Sequence, residues 1–290
     1  MLSQEVAIMK SANTIGTYRK SPFPKHRELL GNLVSLSPKY PIQVLMEVDV
    51  TKARTRIRDY KERTGKTLSF TAWLIKCISQ AVSEYRQVQA YRKGKELVIF
   101  DDVDVGFAME RQGQQETGGL VLGAIVRKAN EKSLSQINEE IRTAQAERMA
   151  YGTIVGEKEE ARLAGVLQSL PGMVRRLAVW WYRRDPFLRK RTQGTIGMTS
   201  VGNVLGATSG MWAFPITLGP FPCYFGIGGV SKKPGSVDQN RVEVRELLPM
   251  CAMFDHDVVD GADVARFLGR LGELLKGAYG LDAEEFKDGG

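Results

Sequence analysis

The spacing of apolar residues predicts a strand, a sharp turn and a helix near the carboxyl end of the chain. The run from Val244 to Phe254 is largely apolar and ends abruptly, as a buried strand does. Beyond it, apolar residues recur at helical spacing at Val264, Phe267, Leu268, Leu271, Leu274 and Leu275. His256, one of two histidines in the chain, is therefore predicted to lie at a strand-to-helix junction.

The rest of the chain alternates between strand-like and helix-like patterns. Apolar runs typical of strands occupy Tyr40 to Val50, Leu97 to Phe100, Val103 to Met109 and Leu120 to Val126. Helical patterns occupy Thr51 to Thr64, Leu68 to Tyr85 and Ser133 to Met149. Thr51 is the expected cap of the first of these helices and Gly65 its stop, and Ser133 with Gln136 is expected to cap the third. We expect a turn at Lys232-Lys233-Pro234.

Composition indicates one large globular domain after a short arm. The chain has 290 residues, of which 43% are hydrophobic and 26% charged, which suffices for a sizeable core. Residues 1–24 lack a regular apolar period and are predicted to form an extended arm, so we assign the domain to residues 25–290. Without a run of eighteen apolar residues or a signal pattern, a cytoplasmic protein is expected.

Charge and cysteine usage exclude some classes of site. The cysteines are odd in number and widely spaced, and predict buried thiols in place of a disulfide framework or a zinc site: Cys77, Cys223 and Cys251. A net charge of +8 suits nucleic acid, a membrane surface or an anionic substrate. No nucleic-acid module signature accompanies it, so no nucleic-acid partner is expected.

The chemistry of the junction favours acid–base catalysis. An imidazole can take a proton from a nucleophile and return it later in a reaction, so His256 is the candidate general base. A structural interpretation stands beside this one. Asp260, followed by Gly261, Ala262 and Asp263, has the pattern of a helix N-cap with an acidic residue at its third position. That pattern alone accounts for both aspartates, and His256 is then an ordinary, partly buried histidine.

The motif His256-x-x-x-Asp260-Gly261, with Ala-Asp-Val-Ala-Arg-Phe-Leu after it, resembles the acyltransferase core of 2-oxo acid dehydrogenase complexes, a relative of chloramphenicol acetyltransferase. The resemblance implies that His256 deprotonates a thiol or hydroxyl acceptor that attacks a thioester. It also implies that Asp260 makes a structural ion pair with an N-terminal arginine, for which Arg27 is our choice and Arg19 the reserve. Asp257 stands where the dehydrogenase cores have arginine, which bears on the substrate more than on the chemistry.

A second stretch, Gly194 to Gly202, resembles the family strand and turn that supply a hydroxyl to the site. Its register assigns Thr199 as the donor to the oxyanion of a tetrahedral intermediate, with Ser200 as the alternative. Strand and turn preferences alone would also explain both residue types.

The resemblance covers roughly residues 25–150 and 192–277 and implies an α/β fold, a two-layer sandwich with a mixed β-sheet like that of chloramphenicol acetyltransferase. It implies homotrimers or multiples of trimers, in which the histidine of one subunit faces the hydroxyl of its neighbour, with coenzyme A or acyl-coenzyme A as substrate. No lipoyl-domain pattern is found in this chain. The acyl group is therefore expected to pass to a separate lipoyl-bearing or acyl-carrier partner or to a small acceptor.

Residues 150–191 depart from the family pattern as a basic, tryptophan-containing insertion. The part from Met173 to Arg191 could contact a membrane surface, dock on an acidic partner or pack on its own subunit. A second function follows from this insertion. The protein could be a non-catalytic trimeric scaffold that uses it to bind a partner or a membrane.

Overall fold

The computed structural model describes residues 8–10, 17–19, 37–109, 122–151, 172–200, 214, 219–238 and 241–282. Within them the strands are β1 Ile8–Lys10, β2 Thr17–Arg19, β3 Pro41–Asp49, β4 Tyr91–Lys93, β5 Glu96–Val98, β6 Val105–Met109, β7 Leu122–Val126, β8 Ile196–Ser200, β9 Cys223–Ile227, β10 Ser231–Asp238 and β11 Arg241–Asp255. The α-helices are α1 Thr51–Thr64, α2 Phe70–Glu84, α3 Leu134–Tyr151, α4 Gly172–Arg184, α5 Pro186–Gln193 and α6 Gly261–Gly277.

Seven strands form one mixed sheet. Its order is β10-β11-β9-β8-β6-β7, with β3 also paired to β11. The central strands β6, β8 and β9 run parallel to one another, and the outer pairs are antiparallel. Two small antiparallel pairs, β1 with β2 and β4 with β5, stand apart from it. The expected α/β fold with a mixed sheet is confirmed.

Helices α1, α2, α3 and α6 contribute to the same hydrophobic core as alternate residues of the strands. Phe254 at the end of β11 packs edge-on against Phe267 of α6, with ring centroids 5.6 Å apart, and both are fully buried. The indole of Trp73 in α2 is also buried and donates to the Tyr279 carbonyl at 2.9 Å. Truncating a buried phenylalanine to alanine costs about 3–5 kcal/mol, so these rings hold α6 firmly against β11.

Alternation along the central strands separates the two faces of the sheet. Ile196 and Met198 of β8 point into the core, as do Cys223 and Phe225 of β9. Because successive side chains point to opposite faces, Gly197, Thr199 and Tyr224 share the other face.

Most predicted elements are found, with one correction at the start of a helix and one at a predicted turn. Gly65 ends α1 in the left-handed conformation at φ 69°, as expected, but the N-cap is Val50 and not Thr51. The Thr51 hydroxyl instead accepts the Glu246 amide at 2.8 Å. The expected reciprocal cap of α3 is confirmed, since the Gln136 side chain accepts from the Ser133 amide and the Ser133 hydroxyl accepts from the Gln136 amide.

The turn expected at Lys232-Lys233-Pro234 is wrong. These residues lie within β10, where Pro234 pairs with Val244 of β11. β10 ends the order of strands in the sheet, and an edge strand tolerates proline because one side of its backbone needs no ladder hydrogen bond. The three cysteines are buried and unbridged, as predicted.

One buried carboxylate anchors α5 to the sheet. Asp104, just before β6, accepts from Lys190 Nζ at 3.0 Å, from Arg127 Nη1 at 3.2 Å and from the Lys128 amide at 2.9 Å. Asp104 is almost fully buried and Lys190 mostly so, so this network fixes α5 beneath the sheet's central strands.

Candidate active site

A tight turn after β11 holds His256. The carbonyl of Asp255 accepts the amides of Val258 and Val259 at 3.1 and 3.2 Å, and the His256 amide donates to the Tyr40 carbonyl at 3.0 Å. Val259 belongs to the core, whereas His256 is exposed. The backbone is thus pinned on both sides while the imidazole faces solvent.

The turn also selects a tautomer of the imidazole. Nδ1 of His256 lies 3.1 Å from the Val259 carbonyl oxygen. A carbonyl oxygen only accepts, so a neutral ring must carry its proton on Nδ1 to make this bond. Nε2 is left with its lone pair, which is the form that a general base requires. The ring of His256 is therefore exposed, with one nitrogen bonded to the turn.

Asp260 is the N-cap of α6. Its Oδ1 accepts the amides of Ala262 at 2.9 Å and Asp263 at 3.0 Å. The backbone hydrogen bond from Asp263 contributes most to holding the pKa of the Asp260 carboxyl below its ordinary value. The predicted capping pattern is therefore present, and it occupies Oδ1. Gly261 is the first residue of α6, and a Cβ there would meet nothing within 4 Å.

Charged residues surround the turn. Burial raises the pKa of Asp255, and the positive charges of Arg189 and Arg183 oppose that rise. Asp257 pairs with Arg92 at 3.6 Å. Arg183 lies in the last turn of α4 and Arg189 in α5, and both contribute positive charge to the surroundings of Asp255.

Thr199 lies on the face of the sheet opposite the core helices α1, α2, α3 and α6, beside Tyr224. Burial raises the pKa of the Tyr224 phenol, and a hydrogen bond with the Thr199 side chain counters that rise. Tyr224 pairs with Gly197, and a Cβ on Gly197 would overlap the rings of Tyr224 and Phe221. Gly197 therefore makes room for the ring that contacts Thr199. By alternation Ser200 points to the other face.

One chain does not bring His256 and Thr199 together. Thr199 pairs with Gly226, which pairs with Cys251 of β11. His256 lies five residues beyond Cys251, which places the two side chains about 17 Å apart along the strand direction at 3.4 Å per residue.

The predicted ion pair of Asp260 with Arg27 lies outside the described residues, as does the whole of Arg27. Arg19, the reserve, is the last residue of β2. Sequence reasoning missed Tyr224, Arg183 and Arg189 as neighbours of the site. The pairing of Tyr224 with Gly197 is the signal that could have identified Tyr224. The sequence does not give that pairing, because it depends on the alignment of β8 with β9.

Comparison with known proteins agrees with this architecture. The sequence model of the family described as 2-oxoacid dehydrogenases acyltransferase (catalytic domain) matches residues 28–154 and 189–281. The lipoamide acyltransferase component of the branched-chain alpha-keto acid dehydrogenase complex of Bacillus subtilis is 23% identical over 236 residues, which are 80% of this chain and 46% of that protein. A succinyltransferase component of the 2-oxoglutarate dehydrogenase complex of Staphylococcus saprophyticus is 22% identical over 89% of this chain and 50% of its own length.

Solved structures share the fold. The cubic core of the pyruvate dehydrogenase multienzyme complex gives a TM-score of 0.62 at 20% identity, covering 92% of this chain and 95% of the other. The dihydrolipoamide acetyltransferase of Azotobacter vinelandii, solved to investigate a serine, a histidine and an asparagine in its catalytic mechanism, gives 0.63 at 19% identity with the same coverage. The chain spans about half the length of the curated relatives it matches.

Proposed function

The chain belongs to the 2-oxoacid dehydrogenase acyltransferase (catalytic domain) family, and on that premise we propose that it moves an acyl group between coenzyme A and a thiol or hydroxyl acceptor. The observation that carries this proposal is the hydrogen bond of His256 Nδ1 to the Val259 carbonyl. It leaves Nε2 of an exposed imidazole free to accept a proton.

The reaction begins when His256 Nε2 removes the proton from the acceptor's thiol or hydroxyl. The resulting sulfur or oxygen nucleophile attacks the carbonyl carbon of acyl-coenzyme A, and the carbonyl oxygen becomes an oxyanion. The Thr199 hydroxyl donates a hydrogen bond to that oxyanion, a contribution worth about 2.7–4 kcal/mol for a comparable donor. Collapse of the intermediate breaks the carbon–sulfur bond, and Nε2–H of His256 returns the proton to the departing coenzyme A thiolate.

Two copies of the chain complete the site. The separation of about 17 Å between His256 and Thr199 along the strands supports a site that is shared between two chains. A cyclic trimer, in which each subunit presents His256 to the Thr199 of the next, meets this requirement with three equivalent interfaces. The structural similarity to the core of a multienzyme complex supports such an assembly.

Asp260 positions the start of α6 relative to the His256 turn in this proposal. The Azotobacter vinelandii enzyme was studied at a histidine and an asparagine that are four positions apart in its sequence, the spacing of His256 and Asp260 here. With Oδ1 occupied by the amides of α6, Oδ2 is available to an arginine such as Arg27. The cap and the ion pair together would fix the start of α6 relative to the His256 turn.

The acceptor is a thiol-bearing carrier in this proposal, since lipoamide acyltransferases among the relatives act in complexes. A dihydrolipoyl group on a separate domain or chain fits that class. The names of the relatives include a succinyltransferase and a branched-chain component, so the acyl donor must be found by comparing acyl groups.

The test is acyl transfer from acetyl-, succinyl- and isobutyryl-coenzyme A to dihydrolipoamide, measured by chromatographic separation of the S-acyl-dihydrolipoamide product, because the number of free thiols does not change in the reaction. His256→Ala should lower kcat/KM about 10²- to 10⁴-fold, the usual contribution of a general base, with an unchanged melting temperature. His26→Ala alters the only other histidine and serves as the matched control. Activity retained by His256→Ala would refute the mechanism, and no transfer by the unaltered protein from any donor would favour the scaffold function.

A further inference from the structure

Helix α4 turns an apolar stripe to solvent. Met173 is 84% exposed, Leu177 65%, Trp180 51% and Trp181 62%. Residues three and four apart lie on the same side of a helix, so these four form one continuous surface. A helix of a globular protein ordinarily turns such a stripe inward.

The opposite side of α4 faces its own subunit. The Tyr182 hydroxyl lies 2.6 Å from the Thr192 hydroxyl and 3.2 Å from Gln193 Oε1, both in α5. Ala178 and Val179, on the same side as Tyr182, are half-buried. Asp104 anchors α5 through Lys190, and α5 contacts the side of α4 that carries Tyr182. The stripe, on the other side of α4, therefore points to solvent.

The stripe lies in a strongly basic segment. Residues 172–193 contain six arginines and one lysine against one aspartate. Arg183 and Arg184 are exposed at the end of α4, and the Arg184 guanidinium lies 3.6 Å from the centre of the Trp180 ring. Contact of this face with the same face of a second copy would set like charges against each other. The charge therefore favours an anionic occupant.

Residues 155–188 are outside the part of the chain that matches the family. That gap contains the whole of α4, so its exposed face is not part of the shared acyltransferase core. Among the described helices, none is long and apolar enough to cross a membrane. The segment therefore has the properties of a helix that lies on a surface.

We propose that the α4 stripe, defined as Met173, Leu177, Trp180 and Trp181, binds the surface of a bilayer that contains anionic lipids. The helix lies in the plane of the interface with the stripe in the boundary between head groups and acyl chains. Tryptophan prefers that depth, and arginines at the helix end attract anionic head groups. A bilayer requires no shaped groove, which suits a convex helix face. This proposal does not depend on acyl transfer by the His256 site.

The test is co-sedimentation of the full chain with vesicles of phosphatidylcholine alone and with 30% phosphatidylglycerol. We expect binding to the anionic vesicles only, with loss of that binding in 0.5 M salt because the attraction of exposed charges is screened. Arg183→Gln/Arg184→Gln should weaken the partition coefficient about 30-fold, from about fivefold per basic residue near an anionic surface. Trp180→Ser/Trp181→Ser should abolish binding.

Two control variants remove exposed apolar side chains or exposed charges from parts of the surface outside α4. Val242→Ser/Val244→Ser alters two valines that are each 68% exposed in β11, and Arg63→Gln/Lys66→Gln removes two exposed charges near the end of α1. Both should bind vesicles like the unaltered chain, and circular dichroism checks that every variant folds. Absence of binding by the unaltered chain, or equal losses in the controls, overturns the proposal. The stripe would be assigned to contact between copies if the unaltered chain did not bind vesicles and the Trp180→Ser/Trp181→Ser variant had a lower mass in solution than the unaltered chain.

Discussion

Thr199 stands level with Cys251 across the sheet, and His256 follows Cys251 by five residues, so about 17 Å along the strands separates His256 from Thr199 at 3.4 Å per residue. Neither strand can slide to close this gap, because a shift of one residue would turn the core side chains of β8 or β11 to the wrong face. An active site that needs both groups must therefore draw them from different copies.

The first prediction is complementation between two inactive variants. His256→Ala and Thr199→Val should each be nearly inactive alone, because every interface then lacks one of its two groups. When the two chains are co-expressed and assemble at random in cyclic trimers, about a quarter of the interfaces join an intact histidine to an intact threonine. Purification through two different affinity tags removes the assemblies that contain only one kind of chain, and each remaining trimer has one such interface in three. Activity of the purified mixed assemblies should therefore return to about a third of the unaltered level.

As a control, the two purified proteins are mixed under conditions in which they do not exchange subunits. The mixture should have no more activity than the two variants alone. Mixed assemblies that stay inactive would count against a shared site at an interface.

The second prediction separates Thr199 from its neighbour. Thr199→Val keeps the shape and strand preference of the residue but removes the donor, and should lower kcat about 10²- to 10³-fold with little change in KM. Ser200→Ala removes a hydroxyl from the other face of β8 and should leave kcat within about threefold of the unaltered value, since it loses no oxyanion contact. The reverse order of effects would assign the donor role to Ser200. Tyr224→Phe tests whether the phenol merely positions Thr199.

The third prediction concerns the two roles of Asp260. Asparagine caps helices as well as aspartate does, so Asp260→Asn should keep the melting temperature, whereas Asp260→Ala should lower it. Because Asp260→Asn removes the charge of the proposed ion pair with an arginine, activity should fall about 10- to 100-fold through misplacement of the His256 turn. Full activity in Asp260→Asn would reduce the residue to a helix cap.

The fourth prediction uses the pH dependence of stability. Burial raises the pKa of Asp255 in the folded chain, so the folded state binds this proton more tightly than the unfolded state. The carboxylate then costs stability at neutral pH, and the cost disappears as the pH falls through the raised pKa towards the ordinary value of about 3.9.

Asp255→Asn should therefore raise the free energy of unfolding at pH 7, because the amide oxygen can still accept from the Asp257 amide, which lies 3.1 Å from Oδ1. The gain should shrink as the pH approaches 4, and urea unfolding at several pH values measures it. Asp59→Asn removes the same charge from an exposed position of α1 and should show no such trend. An equal gain at every pH would contradict the assignment.

The fifth prediction tests the anchor of α5. Asp104→Ala leaves Lys190 and Arg127 without their buried partner, which costs about 3 kcal/mol of unfolding free energy. Asp102 is more exposed, and its contacts with Lys128 and Lys190 are longer, at 3.6 and 3.8 Å. Asp102→Ala should therefore cost less than about 1 kcal/mol. Similar losses for the two variants would show that Asp104 is not the anchor.

Local chemistry made most of the fold predictable from the sequence. Gly65 could be identified as the end of α1 because few other residues adopt a positive φ, and Ser133 with Gln136 marked the start of α3 through a reciprocal cap. The errors came from contacts between segments distant in sequence. Thr51 was expected to cap α1, but its hydroxyl is held by Glu246 of β11. Pro234 was expected in a turn because the sequence does not reveal that it lies in β10, at the edge of the sheet.

The site residues also fall into two groups, those that a sequence pattern reveals and those that depend on the fold. His256 and Asp260 are four positions apart along one turn, so a pattern could reveal them and the cap of α6 followed. Tyr224 reaches Thr199 only through the register of β8 with β9, and Arg189 of α5 lowers the pKa of Asp255 at the end of β11 only through the way the chain folds. These relations depend on strand order and packing, which residue spacing does not encode.

Arg183 lies in the last turn of α4, and its positive charge opposes the rise of the pKa of Asp255, the residue before His256. A ligand that displaces α4 changes that electric field and with it the proton balance beside the reacting groups. Thermodynamic linkage makes the coupling reciprocal, so a substrate that changes the charge near Asp255 also changes the affinity of α4 for its own ligand.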